Sequence, residues 1–161
     1  MAKLPNHVGI DFGTHSVKAV ELANITSQHP KLVNLGSQAT PTGVINSENR
    51  QDQERLADVL KKLYSASGIS NKTTVMALPE FSVFTRFLEF PGVKEEELKD
   101  SIYYEAKQYI PMPLSEVQLS YVPIGFNAER NAHKVLIVAA PRKVVDIYIN
   151  IAIIAGLDLV A

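Results

Sequence analysis

Apolar residues recur along this chain with two periods, and the switches between them divide it into elements. Val8-Gly-Ile-Asp-Phe12 is a short apolar run ending in a glycine turn, and reads as a strand. Ser16 to Ile25 alternates, with Val17, Ala19, Glu21 and Ala23 on one face and Lys18, Val20 and Leu22 on the other, which predicts a strand buried on most of both faces. Asn24 to Pro30 is polar and turn-like, and Lys31 to Ala39 is a third strand with Leu32 opposite Val33 and Leu35. Thr40 to Arg50 is a loop broken by Pro41 and Gly43. Leu56, Val59, Leu60 and Leu63 then follow the i, i+3, i+4, i+7 pattern of one helix face, with Asp52 as the expected cap and Gly68 at the C′ position. Thr73 to Leu78 closes a β-β-β-α-β order.

A second unit follows Pro79. Val83 to Phe90 reads as a strand, Pro91-Gly92 as a turn, and Lys94 to Tyr109 as a helix whose acidic start, Glu95 to Glu97, suits the positive end of its dipole. Its inner face is Leu98, Ile102, Ala106 and Tyr109, and Pro111 and Pro113 stop it. At least two of Tyr103, Tyr104 and Tyr109 are expected in the core, with Tyr104 the one able to face outward. Val117 to Gly125 and Lys134 to Ala140 are strands joined by a polar loop, Asn127 to His133. A helix from Pro141 to Ala155 completes a β-α-β-β-α order; Ile147 and Ile153 make it apolar almost all round, so it is buried or touches something else. The expected division is 1–79, an inserted 80–156, and 157–161 as the start of a strand returning to the first unit. A strand that stops where it begins reads as part of a longer protein.

Composition narrows the classes. The 161 residues are 46% hydrophobic and 20% charged with a net charge of −1, which excludes a disordered chain and leaves no electrostatic footprint for nucleic acid or an anionic membrane. The absence of cysteine excludes disulfides, thiolate zinc sites and cysteine nucleophiles. Met1 to Gly9 lacks the apolar region of a signal peptide, and the densest apolar stretch, Val144 to Leu157, is interrupted by Asp146, Asn150 and Gly156. His7, His15, His29 and His133 are scattered without metal-ligand spacing, and no Ser-His-Asp order or G-x-S-x-G elbow occurs.

The strongest local signal is Ile10-Asp-Phe-Gly-Thr-His-Ser-Val-Lys18. A strand ends in an aspartate, a glycine turn follows and a second strand starts at once. Converging backbone N–H groups in such a turn suit a phosphate, Asp11 could hold Mg²⁺ through water, and Thr14 and Lys18 could add a hydroxyl and a charge. The bland alternative is an ordinary β-hairpin with Asp and Gly in its turn.

This D-x-G-T hairpin resembles the actin, sugar-kinase and heat-shock-chaperone superfamily. A more specific resemblance is to the type IV pilus assembly family PilM, and also to the cell-division protein FtsA. It rests on Gly9 to Leu22, Ala77-Leu-Pro79, Val144-Val-Asp146, Ala155-Gly-Leu157 and above all Glu105-Ala-Lys-Gln-Tyr-Ile-Pro-Met-Pro-Leu114. It spans essentially the whole chain but only the first half or less of a PilM. The resemblance implies an α/β, actin-like (ribonuclease H-like) β-β-β-α-β subdomain 1A with an inserted β-α-β-β-α, FtsA-like 1C subdomain of the SHS2 type. It implies Asp11 as the Mg²⁺-associated aspartate, Gly13, Thr14 and Ser16 as the phosphate loop, and Lys18 as its phosphate-contacting lysine. His15 stands where a small residue is usual and reads as a loop side chain.

ATP and Mg²⁺ are the cofactors this implies for the full-length family, with at most weak ATPase activity. The second phosphate loop and adenosine pocket lie outside this chain, so it is expected to be no enzyme and to bind ATP weakly or not at all. The implied function is a cytoplasmic scaffold of type IV pilus, secretion or competence assembly, reaching the inner membrane only through partners. It would take the N-terminal peptide of a PilN-like inner-membrane protein in a groove between 1A and 1C, at Tyr104, Lys107, Gln108, Ile110, Pro111 and Met112. Alternatively that stretch only ends a helix and packs 1C on 1A. Self-association through 1C or the C-terminal end is also expected. An FtsA-like division protein and an actin-superfamily ATPase or kinase are the competing readings.

Overall fold

The computed structural model describes residues 6–25 and 27–161. The turn expected between Asn24 and Pro30 falls partly on Thr26, outside the described residues. Alternation at Val8, Ile10, Phe12, Val17 and Ala19 turns every second side chain of two neighbouring strands onto one face, where all five are buried. These strands are β1 (His7–Phe12) and β2 (Ser16–Ala23); with β3 (Lys31–Ala39), β4 (Thr73–Ala77) and β8 (Asp158–Leu159) they form one sheet, ordered β3-β2-β1-β4-β8. β2 runs antiparallel to β1 and β3, while β1, β4 and β8 are parallel. Helix α1 (Arg50–Ser67) covers the buried face.

Asn49 caps α1, its side-chain oxygen accepting from the Gln51 N–H at 2.8 Å. Asp52, the expected cap, sits inside the first turn and ties Ser47 to Arg55. At the other end Gly68 takes φ +66°, and the Ile69 N–H returns to the Tyr64 carbonyl at 3.0 Å, so the left-handed residue closes the helix as expected. β2 differs from expectation. Only Val17, Ala19 and Glu21 are buried, while Lys18 and Val20 are exposed, because helices cover one side of this sheet among the described residues. Glu21 is accommodated in the buried layer by the Asn34 amide at 2.7 Å.

The second unit is a three-stranded antiparallel sheet, ordered β5-β7-β6, made of β5 (Phe84–Pro91), β6 (Val117–Asn127) and β7 (Ala132–Pro141). Helix α2 (Leu98–Ala106) lies on one face, with Leu98, Ile102 and Ala106 packed against Phe90, Val117, Val135, Ile137 and Ala139. The expected helical run from Lys94 is a 3₁₀ turn at Glu95–Glu97 followed by α2. The tyrosines correct the sequence reading. Tyr103 and Tyr104 are 51% and 70% exposed and Tyr109 is half-buried, because Leu98, Ile102 and Ala106 already fill the inward stripe of this short helix.

Helix α3 (Arg142–Ala155) brings a second correction. The sequence placed it in the inserted unit, yet the compact units are 1–79 with 144–161, and 80–143. Ile147, Tyr148, Ile151 and Ala152 are buried in the first unit's core, where Tyr148 meets Phe12 edge-on at 4.8 Å and donates to Asn46 Oδ1 at 3.0 Å. The chain after it pairs with β4: Asp158 N–H reaches the Lys72 carbonyl and Val160 N–H the Thr74 carbonyl, each at 2.9 Å.

Candidate functional site

Two places carry the residues singled out by sequence. The first is the β1–β2 hairpin. The Gly13 N–H donates to the Ser16 carbonyl at 3.1 Å, and Thr40 fastens the turn by donating from its N–H to the His15 carbonyl and from its hydroxyl to the Gly13 carbonyl. A Cβ at Gly13 would lie 2.8 Å from the Ser16 carbonyl oxygen, so the closure of this turn demands glycine. Gly13 and Ser16 therefore shape the loop. The Gly13 N–H is spent in closing it, and the free N–H groups are those of Thr14 and His15, which have no partner among the described residues.

Asp11 and Lys18 face each other across the β1–β2 register, both exposed, on the side of the sheet away from α1. Neither forms an ion pair with another described residue. The Thr14 hydroxyl lies 3.1 Å from His15 Nδ1. A carboxylate, an ammonium and two free N–H groups thus gather at one end of the sheet. Lysine and amides attract a phosphate, while the carboxylate repels one unless a divalent cation lies between, so this donor set fits a magnesium–phosphate pair. Among the described residues no group of three metal-binding side chains occurs, so a cation here would depend on the phosphate and water for its remaining ligands.

The second place is in the unit 80–143. Past α2 the chain tightens: the Tyr109 and Ile110 N–H groups both return to the Ala106 carbonyl at 3.1 Å. Pro111 and Pro113 forbid further helix. Ile110 is buried, Met112 half-buried, and Ile110, Pro111 and Met112 line a recess of about 200 Å³ with Phe81, Val83 and Phe84. Tyr104, Lys107 and Gln108 do not line it. They are exposed, with the Lys107 ammonium 5.3 Å from the Tyr103 ring centre and Gln108 donating to Glu105. Three of the six residues expected in a peptide site are therefore brought together and three are not. Sequence reasoning missed Phe81 and Phe84, although two aromatics in the short Glu80-Phe-Ser-Val-Phe84 lead into β5 were a visible signal.

Residues 9–160 match the family model of the type IV pilus assembly protein PilM. The chain belongs to that family. Its fold is similar to a chain of a solved PilM–PilN type IV pilus biogenesis complex, with a TM-score of 0.82 and 26% identity over 99% of this chain and 47% of that one. It is also similar to the cytoplasmic domain of EpsL, an inner membrane component of the type II secretion system of Vibrio cholerae; a TM-score of 0.59 at 11% identity, over 96% of this chain and 55% of that one, shows shared fold alone. The chain spans about half the length of these solved relatives. The fold class is the actin-like α/β type of these proteins, and the PilM match favours pilus assembly over the division-protein and kinase readings.

Proposed function

We propose that this PilM chain is the peptide-receiving part of a cytoplasmic scaffold for type IV pilus assembly, and that the segment it receives is the N-terminal peptide of a PilN-like inner-membrane protein. The observation that carries this is the recess formed by Ile110, Pro111 and Met112 with Phe81 and Phe84. Its wall is apolar and two prolines fix its backbone, so an extended peptide can seat an apolar side chain there with little loss of ordering entropy. The membrane would be reached through that partner; no helix among the described residues is long and apolar enough to cross one. The Asp11–Lys18 hairpin would be one wall of a magnesium–nucleotide site in a full-length PilM, binding nucleotide weakly in this chain. The role is scaffolding rather than turnover.

Calorimetry with a synthetic PilN-type N-terminal peptide tests the reading. Seating one large apolar side chain contributes about 1.5–3 kcal/mol, so Met112→Asp or Phe81→Ala should weaken binding at least tenfold. A Tyr104→Ala, Lys107→Glu double variant lies outside the recess and should bind like the parent. No binding by the parent, or loss of binding in the double variant alone, overturns the proposal.

A further inference from the structure

The two edges of the three-stranded sheet are built differently. β5 carries Arg86 and Glu89 and ends at Pro91, and the Arg86 guanidinium turns inward over the Tyr109 ring at 4.0 Å. Charges and proline of this kind stop another strand from pairing. β6 has such protection only in its second half, where Pro123 and a register shift between Pro123 and Gly125 interrupt it. From Val117 to Val122 it is regular and uncharged, and among the described residues it pairs only with β7.

Beside this open stretch lies a cavity of about 390 Å³, lined by Lys99, Ile102 and Tyr103 of α2, Leu119 and Tyr121 of β6, and Arg142. Arg142 is held in place: its Nε donates to the Ser115 carbonyl at 3.0 Å and one terminal nitrogen donates to Gln118 Oε1 at 3.3 Å. Its remaining N–H groups, the Lys99 ammonium and the phenol hydroxyls of Tyr103 and Tyr121 have no hydrogen-bond partner among the described residues. Among the described residues Asp100 is the one acid on the lining. An unguarded strand edge, a cavity with a mixed apolar and charged wall, and two cations with donors to spare therefore lie together.

We propose that the Val117–Val122 edge accepts an extended segment of a partner protein as a fourth strand. Every second side chain of that strand would enter the cavity between α2 and β6, and an acidic side chain among them would meet Lys99 and Arg142. The cavity volume is at the small end of ligand pockets and fits two or so side chains. The site is separate from the Phe81–Met112 recess, with which its lining shares only Val117.

The test is selection of random peptides of about 12 residues, displayed on phage, against the chain. The enriched peptides should alternate apolar residues around an aspartate or glutamate. Their affinity, read by fluorescence polarisation, should fall at least tenfold in Lys99→Glu and hold in Met112→Asp, the variant that disables the PilN-type recess. On binding, alternate backbone amides within Val117–Val122, those turned away from β7, should gain hydrogen-exchange protection. Enrichment of no motif or of a basic one, unchanged affinity in Lys99→Glu, or protection confined to other elements overturns the proposal. Failure of a PilN-type peptide to bind overturns the earlier reading and leaves this one standing.

Discussion

Truncating Ile151 to alanine tests whether α3 serves the first unit. Ile151 has no exposed surface and lies in the cluster with Phe12, Leu56, Leu60 and Tyr148. The change removes roughly three carbons, at about 0.8 kcal/mol each, and leaves a cavity that adds to the loss. The expected cost is about 3 kcal/mol, a large share of the 5–15 kcal/mol that holds a typical domain together. For a unit of this size it should lower the melting midpoint by roughly 12 °C or more. The informative assay is residue-resolved amide hydrogen exchange. At about 1.4 kcal/mol per tenfold, core amides of β1, β2 and β4 should exchange about a hundredfold faster, while those of β5, β6 and β7 keep the parent's rates. Acceleration confined to β5–β7 would return α3 to the inserted unit and refute the packing argument.

Gly13→Ala forces its Cβ against the Ser16 carbonyl, and a loss of about 1–3 kcal/mol in urea unfolding is expected; an unchanged midpoint would mean the turn relaxes freely. Burial holds the phenols of Tyr64 and Tyr148 neutral and lifts both above their ordinary pKa. Raised folded-state values give a contribution that is complete below about pH 10 and is lost as pH rises through them, so the urea midpoint should fall above about pH 10, and less steeply in Tyr148→Phe. Magnesium with inorganic phosphate should shift the Thr14 and His15 amide resonances weakly; Lys18→Ala should abolish the shifts, and Asp11→Asn should remove their dependence on magnesium.

Much of the fold was legible because local rules and packing agree. The alternation at Val8, Ile10 and Phe12, the helical spacing of Leu56, Val59, Leu60 and Leu63, and the position of Gly68 each specify one local structure, and tertiary contacts reinforce it. What could not be read is what depends on the rest of the molecule. Periodicity shows that α3 is apolar without showing which sheet it covers; the contacts of Tyr148 and Ile151 decide that. Tyr103 looked like core because aromatics usually bury, but a helix of nine residues offers one inward stripe, already taken. Asp52 looks like the N-cap in sequence because the spacing of the apolar residues marks the middle of a helix better than its first turn, where Asn49 acts. At the hairpin the motif placed Asp11, Thr14 and Lys18 together, while the use of the Gly13 N–H within the turn is a matter of geometry. The apolar recess is only partly legible in sequence: the proline-bracketed stretch points to Ile110–Met112, while Phe81 and Phe84 join it through the folding of β5 against β7.

The central claim is that this PilM chain receives a PilN-type peptide on the unit 80–143. Amide chemical-shift mapping with that peptide tests it most directly. The account predicts saturable shifts centred on Phe81, Phe84, Ile110 and Met112, with Tyr104 and Lys107 little moved. Absence of saturable shifts, or shifts confined to β1–β4 and α1, would contradict it.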